Sequence, residues 1–127
     1  MRRALPLLFV LGLGACGIGA PPGRVLDLDG GGMSYTVELQ RFDGTDEFTW
    51  SPSAESAYVR FDGTELTHGS VQVTFVNADG ERFFQQAVGV GPQPPSRATG
   101  QGHGPWAVRL DFTDATGTLA FSAAPAR

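Results

Sequence analysis

The sequence contains no lysine: its nine basic residues are all arginine, set against thirteen carboxylates. Two of those arginines, Arg2 and Arg3, precede an uncharged run, so the remainder carries seven against thirteen, a balance of −6. A surface of that sign repels phosphate backbones and argues against nucleic acid as a partner. A single cysteine, Cys16, excludes an internal disulfide. The histidines, His68 and His103, are two where a zinc site takes three or four ligands. No stretch sustains a 3.6-residue hydrophobic repeat, which excludes a substantial amphipathic helix. No G-x-S-x-G elbow or other nucleophile signature appears, so no catalytic residue is assigned and the chain does not read as an enzyme.

Glycine and proline are plentiful instead, eighteen and nine in 127 residues, which points to a fold rich in turns. With 41% hydrophobic and 17% charged residues, the composition is that of a globular protein with room for one domain. The N-terminus differs from the rest. Met1-Arg2-Arg3 is a short positive stretch, followed by uncharged sequence from Ala4 to Ala15. That run matches the h-region of a signal peptide and is shorter than the ~20 residues a membrane-spanning helix needs. Leu13-Gly14-Ala15 places small residues just ahead of Cys16. Residues Gly12 to Gly17 also match G-x-G-x-x-G formally, but that fingerprint has meaning only between a strand and a helix.

The segment "LLFVLGLGACG" resembles a bacterial lipobox, the cleavage site of secreted lipoproteins. The resemblance covers residues 1–17 and implies cleavage between Ala15 and Cys16, with a covalent lipid on the Cys16 sulfur. Two or three acyl chains hold a protein stably on a membrane, where one gives only marginal binding. The resemblance places the protein in the cell envelope, with the outer membrane favoured in a diderm bacterium because Gly17, rather than aspartate, follows the cysteine. The expected organisation is a signal peptide over 1–15, a lipidated flexible tether over 16–32 and a β domain over 33–127. Pro21-Pro22-Gly23 and Gly30-Gly31-Gly32 supply the tether's loose composition.

From Met33 onward the hydrophobic period is two. Met33, Tyr35, Val37 and Leu39 alternate with polar residues, as do Ala57, Val59 and Phe61, and Val71, Val73 and Phe75. Trp106, Val108, Leu110 and Phe112 make the cleanest series, and Phe48, Trp50, Leu119 and Phe121 extend the pattern. Glu81–Val88 also reads as a strand, with the adjacent Phe83 and Phe84 expected on opposite faces. Asn77-Ala78-Asp79-Gly80 and Asp114-Ala115-Thr116-Gly117 read as hairpin connections. Arg-Phe-Asp-Gly-Thr occurs twice, at 41–45 and 60–64, and both copies read as turns at strand ends. The expected fold is all-β: one antiparallel β-sandwich of about seven strands, immunoglobulin-like or jelly-roll. "GSVQVTFVNADGERFF" and "GPWAVRLDFTDATGTLAFS", within residues 69–122, resemble the small jelly-roll modules of the pre-peptidase C-terminal type. That resemblance implies an accessory or adhesive role.

Several residues are candidates for a site. Asp43, Asp46, Glu47, Asp62 and Glu65 gather around the two repeated turns, and turns meeting at one end of the sandwich would let Asp43, Asp46, Asp62 and Glu65 share a calcium ion. Asp27-x-Asp29-x-Gly31-Gly32 with Glu38 follows part of the calcium-loop spacing, but position five is glycine and no helix flanks it. Trp50 and Tyr58 are the aromatics best placed to meet a ligand such as a glycan, whereas Trp106 shares its face with core residues. The function expected is non-catalytic binding or structural work in the envelope. The partners are a membrane through the lipid and an unidentified envelope protein or glycan, with no cofactor beyond the lipid. The alternatives are a calcium- or glycan-binding module and, behind it, a small hydrolase pairing His68 or His103 with a serine or aspartate.

Overall fold

The computed structural model describes residues 19–28, 31–52, 54–99 and 105–126; Ala15, Cys16 and the signal segment, like His103 and Asp29, lie outside the described residues. Strand β1 spans Val25–Asp27, β2 Met33–Trp50, β3 Ser56–Arg60, β4 Glu65–Val76, β5 Arg82–Val88, β6 Ser96–Thr99 and β7 Trp106–Ala126. All pairings are antiparallel within one seven-stranded sheet. β7 is the central strand. β2 pairs along one side of it, while β4 and then β3 share the other. β1 flanks β2, β5 flanks β4 and β6 flanks β3.

The period-two pattern sets what each strand buries. Met33, Tyr35, Val37 and Leu39 are buried, and the residues between them are exposed, because successive side chains leave a strand on opposite faces. Three long strands then bend at one level. The ladder slips between Leu39 and Gly44 in β2, between Leu66 and Ser70 in β4, and opposite both in β7. Bulges of this kind bend a strand and raise its twist. Arg41 and Asp114 take left-handed backbone there, with φ of 49° and 45°. Two glycines make the close approach feasible. A Cβ on Gly69 would lie 2.1 Å from the Asp114 carbonyl oxygen, and one on Gly117 2.3 Å from that of Glu65.

The bend folds the sheet onto itself. Tyr35 and Phe48 stand thirteen residues apart on β2, some 43 Å if the strand ran straight, yet their rings stack at 5.8 Å. At the other end of the molecule the Trp50 indole N–H donates to the Gly31 carbonyl at 3.2 Å. The result is a two-layer sandwich made from a single sheet, in which strands pass between layers through bulges. One layer holds the second halves of β2 and β4, the first half of β7, and β5. The other holds β1, the first half of β2, the second half of β7, β3 and β6. Between them lie Tyr35, Val37, Leu119 and Phe121 on one side and Phe75, Trp106, Val108 and Leu110 on the other, all buried.

The antiparallel all-β fold and its count of seven strands agree with the expectation, although β1 and β6 are not among the strands read from the sequence, and four details differ. Arg41–Thr45 is a bulge inside β2, and Asp114–Gly117 a bulge inside β7, because Asp-Gly and left-handed backbone serve a bulge as well as a hairpin. Asn77–Gly80 is the hairpin turn expected: the Asn77 side-chain oxygen accepts from the amides of Asp79 and Glu81, each at 3.0 Å. Phe83 and Phe84 both pack on Phe75, at 6.1 and 5.0 Å, instead of facing opposite ways. The ladder passes from Phe75↔Phe84 to Val76↔Arg82, leaving Phe83 as an inserted residue. Finally, Gly19–Leu28 is no tether. The Gly19 amide donates to Thr45 O at 2.7 Å, Pro21 is buried, and Val25–Asp27 pairs with Thr36–Ser34.

Candidate functional site

Two polar groupings follow from the bend. The first lies on its surface. Asp114, held in left-handed backbone, turns its carboxylate to Arg41 Nε at 3.3 Å and to His68 Nε2 at 3.2 Å. Its own amide donates to Asp43 Oδ1 at 2.8 Å, and the Arg41 amide donates to Thr116 Oγ1 at 3.0 Å. Two residues of β2, Arg41 and Asp43, and one of β4, His68, thus meet on Asp114 of β7. Non-glycine residues in this backbone region are uncommon and concentrate where the surrounding structure over-determines them. The Arg41 and His68 side chains are 81% and 68% exposed, so their contacts with the carboxylate are screened by water. The carboxylate orients His68, and no serine or cysteine contact to His68 accompanies it among the described residues. The arrangement can position a histidine.

The second grouping is inside. Asp46 is 3% exposed, and its Oδ2 accepts from the Tyr35 hydroxyl at 2.7 Å and from Arg24 Nη1 at 2.9 Å. Tyr35 belongs to one half of β2 and Asp46 to the other, so this contact spans the fold of the strand. Burial, followed by the hydrogen bond to Asp46 and its charge, raises the Tyr35 hydroxyl pKa well above the ordinary tyrosine value. Arg24 comes from the N-terminal segment and supplies the compensating charge. A buried carboxylate without such partners would be costly.

The predicted calcium ligands are separated by this architecture. Asp43 serves the bend, Asp46 the interior, and Asp62 and Glu65 lie across β7 from both. Among the described residues no three histidine, cysteine, aspartate or glutamate side chains gather as a metal site would require. Glu38 of the partial calcium-loop spacing accepts from the Thr118 hydroxyl at 2.8 Å. Trp50, expected at a ligand surface, is 3% exposed and stands edge-on to Trp106 at 5.5 Å. Alternation fixes only which residues share a face with Phe48; the bend decides which face is inside. Tyr58 is exposed, and Arg97 sits over its ring at 5.5 Å. Trp106 is in the core.

Sequence reasoning missed Arg24, Tyr35, Arg41 and Asp114 as members of polar groupings. One signal was available: Tyr35 falls on an apolar face, and a buried phenol seeks a hydrogen-bond partner. Shallow recesses flank the bend. One of about 290 Å³ lies between Pro21, Pro22 and the Glu38–Phe42 part of β2. Another of about 220 Å³ is lined by Asp43, Gly44, Thr45, Asp111 and Phe112.

No protein-family model matches the chain, and no curated protein matches it. Among solved structures the chain is similar to procruciferin, the 11S globulin of Brassica napus, at 19% identity and a TM-score of 0.38. The match covers 72% of this chain and 19% of that one, so the chain spans about a fifth of the globulin's length. A likeness of that size bears on no feature of the site.

Proposed function

We propose that this protein is a lipid-anchored lipoprotein of the bacterial cell envelope, with a non-catalytic binding or structural role. The observation that carries the reading is the order of features in residues 1–17: two arginines, an uncharged apolar run, small residues, then the only cysteine in the chain. A β-sandwich whose bend is tied by Arg41, His68, Asp43 and Asp114 supplies a rigid outward surface, which suits such a role. In a diderm organism, the glycine after Cys16 favours the outer membrane. Intact-mass spectrometry of the membrane fraction tests the reading, with wild type beside Cys16→Ser. A wild-type mass that lacks residues 1–15 and carries acyl chains, both lost in the variant, is the expected result. An unacylated wild-type mass overturns it.

A further inference from the structure

The N-terminal segment runs along the domain in a fixed direction. It enters at the bend, where Gly19 is held on Thr45, one residue past the β2 bulge. It then runs beside β2, places Arg24 on Asp46, and continues as β1 towards Met33. The bend is one end of the molecule. The opposite, open end holds Trp50 beside Gly31, the Trp50↔Trp106 pair, the Asn77–Gly80 turn that follows Val76↔Ala107, and Ala126 opposite Ser56. From Thr45 to Trp50 alone is about 17 Å of strand.

Resting on the lipoprotein reading above, we propose that the bend end of the sandwich is the membrane-proximal surface, held against the bilayer, while the open end with the Asn77–Gly80 turn faces away from it. Only three Cα-to-Cα steps separate Cys16 from Gly19, a span of at most about 11 Å whatever its conformation. Because Gly19 is fixed to Thr45, a lipid on Cys16 brings the bend to the headgroups and leaves no slack for the open end to approach instead. The exposed charges at the bend are mixed: Arg41 beside Glu38, Asp43 and Glu65. The short connection, and not attraction to anionic lipid, therefore sets the orientation.

The test uses the full-length protein, processed in cells and reconstituted into phosphatidylethanolamine–phosphatidylglycerol vesicles containing a headgroup-labelled quencher lipid. Single fluorophores are placed at Ser70→Cys, on the bend, and at Asp79→Cys, in the far turn; both parent residues are exposed. A Cys16 sulfur carrying lipid does not compete for the label. The intact mass of each preparation is recorded with the quenching. With Cys16 acylated, the Ser70 probe is expected to be quenched at least about threefold more than the Asp79 probe, given the length of strand between the two ends. A Gly-Ser linker of about 20 residues between Ile18 and Gly19, with an r.m.s. span of about 25 Å, is expected to abolish the difference. Equal quenching of both probes in the acylated parent, or a bias that survives the linker, overturns the orientation and leaves the lipoprotein reading standing. A mass without acyl chains overturns both.

Discussion

The two copies of Arg-Phe-Asp-Gly-Thr, at 41–45 and 60–64, flank the same strand from opposite sides. Each rests its phenylalanine on a phenylalanine of β7, Phe42 on Phe112 at 5.0 Å and Phe61 on Phe121 at 5.8 Å. Beyond that they differ. The first copy stays within β2 as the bulge of the bend, and its aspartate reaches across to the Asp114 amide. The second leaves the ladder as a turn, closed by Thr64 N–H to Phe61 O at 3.1 Å, and carries the chain from β3 to β4 along β7. There it is the threonine that works: the Thr64 hydroxyl donates to Ala120 O and accepts from Ala120 N, standing in for a backbone unit missing from the ladder. One pentapeptide therefore departs from the regular ladder in both places, while the strand alongside selects which side chain repairs the departure.

The largest expected effect comes from removing the close approach on which the first copy's bend depends. Gly117→Ala, or Gly69→Ala, drives a Cβ against backbone oxygen at 2.3 or 2.1 Å. Each should lose more than about 4 kcal/mol, or fail to fold, in urea titration of the purified domain. Retention of parent stability would mean that the bend tolerates a wider spacing and that the comparison rests on the wrong feature.

Exchanging the threonines probes the copies directly. Thr64→Val leaves the amide and carbonyl of Ala120 without their partner and should destabilise by about 2 kcal/mol. Thr45→Val removes only a 2.8 Å contact with the half-exposed Asp111 and should change stability by less than about 0.5 kcal/mol. Equal losses would erase the distinction between a bulge and a turn.

A pH titration addresses the interior beside the first copy. The raised pKa of Tyr35, due first to burial and then to Asp46, means that folded and unfolded chains hold the same tyrosine proton below pH 10. Above that, the unfolded chain releases it and the folded chain does not. The unfolded state then binds fewer protons, so stability falls with rising pH by about 1.4 kcal/mol per unit. Tyr35→Phe should remove this component from the alkaline limb measured by chemical denaturation at successive pH values, and an unchanged limb would show that Tyr35 is not its source.

The aspartates should give the smallest contrast, in the reverse sense to the threonines. Asp43→Ala deprives the Asp114 amide of its acceptor and should lower stability by about 1 kcal/mol. Asp62→Ala, at an exposed turn position, should be neutral by thermal melting. A loss at Asp62 matching that at Asp43 would restore the view of the two copies as equivalent.

Much of the fold was legible because a strand's side-chain period is a local property. Met33–Leu39, Val71–Phe75 and Trp106–Phe112 declare their buried faces residue by residue, and the Asn77–Gly80 turn is satisfied by its own side chain. The candidate site was far less legible. Arg41 lies 73 positions from Asp114 and 27 from His68, and their meeting depends on three strands slipping register together. Asp46 read as a loop carboxylate because nothing local marks it as inward; its partners are eleven and twenty-two residues away.

By itself the sequence determined the class of structure, most of its strands and the apolar faces they bury, since alternation and turn chemistry act over a few residues at a time. Tertiary structure alone decided that β2 and β7 run through positions that read as turns, that Trp50 is interior, and that Gly19–Leu28 is bound to the domain. The physical reason is common to all three. An Asp-Gly step or a left-handed residue says only that the backbone leaves the ladder; whether the chain reverses or bends and continues depends on the pairing partner alongside, which is distant in sequence.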